Sequence, residues 1–261
     1  MGHIRLGTLA ATRRWKDVIE LIAEHADAPK VAEAVTHAWE HAFNTVRDDA
    51  GFREGVWLLS QIGVAGKSTN PAEHLNAAGI EVAGAKSVVE VAMGLSEAME
   101  TRLQAARRRS DFGELAQRAL VGAVTAQLQK ETLPLLGSTS DDIPGALRKC
   151  GREKGFGELS REFFSRLTNE CLNYFLSKTL TGQVGAGRAF NNMVHVQAFE
   201  DAMRTHCSEA SEIVEDFSSG WFLKHYFEGG GRIQRDSAEK FGWFGLEKMR
   251  RELGERAREY A

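Results

Sequence analysis

Four short clusters in this sequence hold residue types able to do chemistry. His37 and His41 stand one helical turn apart with Glu40 between them. Two imidazoles on one helix face can hold a metal ion, and a neighbouring carboxylate can act as base toward metal-bound water. Gly66, Lys67, Ser68 and Thr69 place backbone amides, an ammonium and two hydroxyls in succession, the groups that cradle phosphates. Arg188 and His195 pair a guanidinium, which stabilises phosphate charge, with an imidazole that titrates near neutrality. That pair is sufficient for metal-free cleavage of RNA. Arg148, Lys149, Arg152 and Lys154 concentrate positive charge in one short segment that a phosphate backbone or an acidic partner would attract.

Three of these clusters bear a resemblance to known motifs. His37-Ala38-Trp39-Glu40-His41 resembles the H-x-x-E-H order of inverted zinc peptidases. Its histidines fall opposite the apolar stripe of Val35, Ala38, Trp39 and Ala42, on a face shared with Glu33 and Asn44, which is the solvent side of a helix. No third ligand is evident, so no metal is expected. Gly66-Lys67-Ser68-Thr69 is similar to the end of a Walker A loop, but Gln61 occupies the place of the leading glycine. The stretch before it has helical spacing, and Asn70, Pro71 and Glu73 start the next helix only afterwards. A polar loop between two helices is expected there, with no cofactor. The Arg188 to His195 spacing resembles the R-x(4-6)-H motif of HEPN ribonucleases, helical proteins that dimerise to bring two motifs together. The resemblance is confined to residues 188–195. It implies that Arg188 and His195 act on the scissile phosphate and the 2′-hydroxyl from a shared helix face.

The elements that must position these residues are helices. Apolar residues recur at intervals of three and four along almost the whole chain, and alternating stretches are nearly absent. Trp15, Val18, Ile19 and Ile22 mark a first helix, and Ala28-Pro29 opens a second. A third spans Phe52 to Ile62. Capping boxes at Asn70/Glu73, Ser87/Glu90, Asp111/Glu114 and Asp236/Glu239 predict four further starts. Arg107-Arg108-Arg109 closes the helix begun at Ser87, where cations complement the macrodipole. Spacing predicts a helix from Phe156 to about Gly182, one long helix from Val196 to about Gly220, and a last helix from about Ser237. From Leu133 to Gly157 the periodicity lapses into Gly, Ser, Asp and Pro. The predicted fold is therefore all-α, a multi-helix bundle without significant β-sheet. Its expected parts are two packed subdomains, 1–134 and 135–261, joined by a linker near 134–157, with one continuous bundle as the alternative.

Composition narrows the function. A net charge of −3 and a pI near 6.3 are unlike those of a protein devoted to nucleic acid. Cys150, Cys171 and Cys207 are an odd number, widely spaced, and read as free thiols of a reducing compartment. No apolar stretch has membrane-spanning length and no signal peptide is evident, so the expected location is cytoplasmic. In the last helix, Lys248, Arg250, Arg251, Arg256 and Arg258 interleave with glutamates, the pattern of a solvated, salt-bridged face. The densest unusual region runs from Phe217 to Phe244 around Gly229-Gly230-Gly231. Its aromatics suit either a core or the centre of an interface.

The leading expectation is a non-catalytic subunit or adaptor that binds a protein partner through Trp221, Phe222, Tyr226, Phe227, Trp243 and Phe244. Self-association is left open. The alternative is a HEPN-like ribonuclease or RNA-binding module using Arg188 and His195, with Arg148, Lys149, Arg152 and Lys154 as nucleic-acid contacts. The two separate in one assay. In the ribonuclease reading, Arg188→Ala and His195→Ala abolish cleavage of single-stranded RNA without changing the melting temperature; in the adaptor reading both substitutions are silent.

Overall fold

The computed structural model describes Leu6 and residues 12–82, 84–106, 109–132 and 142–259. Among them the chain is all-α. In order, the helices are α1 (Arg13–Ala23), α2 (Ala28–Val46), α3 (Ala50–Lys67), α4 (Pro71–Ala77), α5 (Val88–Ala106) and α6 (Asp111–Thr132). They continue as α7 (Asp142–Cys150), α8 (Glu153–Gly182), α9 (Met193–Ala210), α10 (Glu212–Glu228) and α11 (Arg235–Glu259). The described residues form no sheet, only an isolated bridge between Val184 and Phe190.

Local chemistry sets most helix starts. Asp27 and Asp49 cap α2 and α3 by accepting from the amides of Lys30 and Phe52. The Asn70 side-chain oxygen accepts from the Glu73 amide at 3.4 Å, and Ser87 Oγ from the Glu90 amide at 3.3 Å, as two of the expected capping boxes require. The other two differ. At α6 the cap is Ser110, whose hydroxyl accepts from the Gly113 amide at 2.9 Å, so Asp111 is the first helical residue. At α11 the helix already includes Arg235, and Asp236 lies in its first turn, paired with Lys240 at 2.7 Å.

Two further expectations change. The lapse between Leu133 and Gly157 contains α7 and the start of α8; Ile143, Ala146, Leu147 and Cys150 are buried at the spacing of one helix face. Pro144, acceptable in a first turn, disguised that pattern. Residues 133–141, including Pro134, lie outside the described residues, as do Arg107 and Arg108. The long helix expected from Val196 to Gly220 is instead α9 and α10, divided at the fully buried Ser211, whose hydroxyl donates to the Ser208 carbonyl at 2.6 Å. The exposed Gly220 does not end α10, which continues to Glu228. Finally, buried residues on both sides of the expected division at 134 join one core extending from Trp15 to Leu253. α3 packs on α6 and α7, α2 on α9 and α11, and α8 on α6, α9 and α10. Described residues of the stretches 1–134 and 135–261 thus contribute to one interior.

α8 is the spine. Phe156, Phe163 and Phe164 are fully buried along it, and neighbouring helices receive Phe156 and Phe164 at glycines. A Cβ on Gly63 of α3 would stand 2.6 Å from the Phe156 ring and 2.8 Å from that of Phe222. A Cβ on Gly245 of α11 would collide with the Phe164 ring. A third close approach joins α3 to the end of α7, where a Cβ on Gly66 would fall within 3.0 Å of the Gly151 backbone and the Leu147 carbonyl. Backbone cannot move aside as a side-chain tip can. Gly66→Ala is therefore expected to destabilise the protein by about 1–3 kcal/mol. Gly220→Ala, exposed within α10 with nothing within 4 Å of the added methyl, should stabilise by about 0.5–1 kcal/mol. Urea unfolding checks both, and a Gly66→Ala protein as stable as the wild type would refute the close α3–α7 contact.

Candidate functional site

The aromatic segment divides between interior and surface. Phe222 is fully buried and stacks on Phe156 with ring centroids 4.2 Å apart, so it belongs to the core and not to an interface. Trp221 is half-buried, stacked on Phe241 at 4.2 Å and on His225 at 4.8 Å. Tyr226 and Trp243 are also half-buried, and each ring lies beneath a cation, Lys67 at 5.9 Å and Arg47 at 5.5 Å. The remaining two rings face outward: Phe227 is 73% exposed at the end of α10, and Phe244 is 55% exposed on α11.

Phe244 stands on the wall of a groove of about 520 Å³ between α2 and α11. On α11, Phe244, Lys248, Arg251 and Glu255 line it in a row that advances three or four residues at a time, with Glu247 beside them. From Phe244 to Glu255 that row covers about 16 Å at 1.5 Å per residue. On α2 the wall is Glu33, Thr36 and His37. Gly254 opens the floor, for a Cβ there would reach 3.6 Å from the Glu33 carboxylate. Among the described residues, three carboxylates and three Lys or Arg side chains line the groove beside His37, counting Arg250. Arg250 stands 3.8 Å from Glu247, and Arg251 stands 3.6 Å from Glu255. One apolar ring and a balanced set of mobile charges suit a polypeptide better than a small apolar ligand.

The structure thus brings His37, singled out for its metal-binding spacing, into the same groove as Phe244. The side chains of Glu40 and His41 lie outside the described residues. Among the described residues no three His, Cys, Asp or Glu side chains form a group able to hold a metal ion. Gly66 and Lys67 are the last residues of α3, and Ser68 is its C-cap, so these amides belong to a helix C-terminus and form no phosphate cradle. Arg188 and His195 are both exposed. Arg188 sits in the turn between α8 and α9, its amide donating to the Gly185 carbonyl at 3.1 Å, while His195 is in the first turn of α9. The shared helix face expected for the pair is absent, since α9 begins after Arg188. Of the basic segment, Arg148 donates to the Thr69 carbonyl at 3.2 Å, Lys149 pairs with Glu131, and Lys154 lies 3.7 Å from Glu158. Arg152 is exposed at the N-cap of α8.

The sequence did not single out the row Lys248, Arg251 and Glu255 as a site. Its signal was present: a phenylalanine leading charged residues at helical spacing on the face opposite the buried Leu246, Met249 and Leu253. No family model, no curated protein and no solved structure matches this chain.

Buried titratable groups lie away from the groove. His206 on α9 is 3% exposed, and neither ring nitrogen has a partner in good hydrogen-bond geometry. Desolvation by burial, assisted by Arg256, holds its pKa below the ordinary value, against the opposing pull of Glu209, Asp27 and the nearby Leu253 backbone. Cys150 and Cys207 are pushed up to about 12 by burial, which leaves both thiols protonated and unreactive. The unfolded chain protonates His206 before the folded one does, so its neutral form contributes stability that is lost as pH falls through about 6.5 and below. Replacing it by His206→Gln should make the melting temperature fall less steeply between about pH 7.5 and pH 5. Equal slopes for the two proteins would show that His206 does not titrate differently on folding.

Proposed function

We propose that the protein is a non-catalytic helical adaptor whose α2–α11 groove receives an amphipathic helix of a protein partner. The observation that carries this reading is Phe244, a large ring left 55% exposed on the wall of a groove between two long helices. Helix-in-groove recognition uses an apolar anchor flanked by charges at successive turns. The groove supplies the matching half: Phe244 at one end, then Lys248, Arg251 and Glu255 on one side and Glu33 on the other. Its lined length of about 16 Å accommodates about three helical turns. The occupant expected from that charge order carries an apolar residue against Phe244, followed by acidic and then basic positions. Phe227 lies on α10, and the groove lining does not include it.

The test uses the full chain with a photo-crosslinking residue at position 36, on the α2 wall of the groove. A stoichiometric companion cross-linked through a helical segment, and lost from both Phe244→Asp and Arg251→Glu proteins at unchanged melting temperature, is the expected result. Loss of about tenfold or more in affinity is expected from Phe244→Asp, as for an anchor residue. Cross-links only to a second copy of this chain, a companion retained by both variants, or no companion would each overturn the reading.

A further inference from the structure

A second cleft lies on another face, bounded by α6, α8 and α9, with a volume of about 430 Å³. Its lining is polar and carries both signs of charge: Arg118 from α6, Glu162, Arg166, Asn169 and Glu170 from α8, and Arg204 from α9. Three guanidiniums thus come to one hollow from three different helices. Among the described residues, each is held by a single ion pair through one nitrogen. Arg118 Nη2 reaches Glu170 at 3.0 Å, Arg166 Nε reaches Glu162 at 2.7 Å, and Arg204 Nη1 reaches Asp201 at 2.8 Å. A guanidinium carries five N–H donors, so these pairs orient the three groups while leaving most donors for an occupant. Gly122 of α6 makes room for one of them: a Cβ there would stand 3.1 Å from Arg166 Nη1. At the cleft the Asn169 side-chain oxygen is shut off from solvent without a partner. Leaving that acceptor unpaired is costly, and a ligand hydroxyl that donates to it relieves the cost.

We infer that this cleft binds a small phosphate-bearing ligand of sugar-phosphate or nucleotide size. Three guanidiniums at one hollow exceed what a carboxylate can use, because a carboxylate is satisfied by one bidentate fork, whereas a phosphate monoester presents three oxygens. The volume lies within the range of small-molecule sites, and the polar lining selects a hydrated, charged ligand over an apolar one. A neighbouring hollow of about 370 Å³ shares Glu162 and Ser208 with the cleft and carries Lys130, Lys154 and Arg161. There Arg161 is bound by two carboxylates, Glu212 and Glu215, and Lys130 and Lys154 converge on Glu158; no aromatic ring lines either hollow. Single-stranded nucleic acid characteristically gains affinity by stacking bases on such rings. A compact ligand fits the cleft better than a polymer. This assignment does not rest on the adaptor reading, since none of its residues lines the α2–α11 groove.

The experiment is calorimetric titration of the full chain with inorganic pyrophosphate, ribose 5-phosphate and AMP at constant ionic strength. At least one should bind, and Arg118→Gln and Arg204→Gln, both at largely exposed side chains, should each weaken binding about tenfold while melting as the wild type does. Arg152→Gln, exposed and outside the cleft, should leave binding unchanged. Absence of binding by all three probes overturns the inference. So does binding that the two cleft variants leave intact, or binding confined to a single-stranded RNA 12-mer.

Discussion

The bundle depends on the seating of the α8 phenylalanines in glycine notches. Phe156 enters beside Gly63 of α3, and Phe164 enters beside Gly245 of α11. A ring buried in such a notch brings two helix axes closer than side chains on both would allow, and it leaves no space unfilled. Because the notches lie on helices from opposite ends of the chain, α8 cannot bury its rings until α3 and α11 are both in place. The fold is in that sense all of one piece, and its core crosses the sequence midpoint without interruption.

The same constraint sorts the aromatic segment. α10 packs along α8, so Phe222 is carried into the stack on Phe156, and Trp221 is laid against Phe241. Once those rings are consumed by the interior, the surface retains Phe227 and Phe244. α11 is held on the spine by Phe241, Gly245, Leu246, Met249 and Leu253, which fixes the opposite row beginning at Phe244 toward α2. The groove is thus a by-product of how α11 must sit to receive Phe164.

Charge follows packing in a similar way. Arg235 of α11 pairs with Glu54 and lies 5.4 Å over the Trp57 ring, while Arg102 of α5 stands 3.8 Å from the same carboxylate. These half-buried links tie the start of α11 to α3 and α5. Around α8, Lys130 and Gln127 donate to Glu158; burial raises that carboxyl, but the bonds from Lys130 and Gln127 outweigh it and hold its pKa below the usual range. The arginines bordering the polar cleft retain donors because each has, among the described residues, one acidic partner, met through one nitrogen.

Sequence by itself determined the helical class, most helix starts and most core positions. These are local consequences of apolar spacing and of caps such as Asp27, Asn70 and Ser87 acting within three or four residues. It also determined that His37 would face outward, since the opposite stripe of Val35 and Ala38 is buried. Tertiary structure decided what no local pattern encodes. Ser211 breaks a helix at a residue with no breaker's signature, and α7 forms where Pro144 conceals its apolar face. Phe222 and Phe244 have the same side chain and similar surroundings in sequence, yet one is core and the other exposed. The difference lies in which helix covers each ring, and that depends on contacts between residues up to the full length of the bundle apart. The two hollows follow the same rule: each is assembled from helices distant in the chain, so its lining exists only after packing has chosen their neighbours.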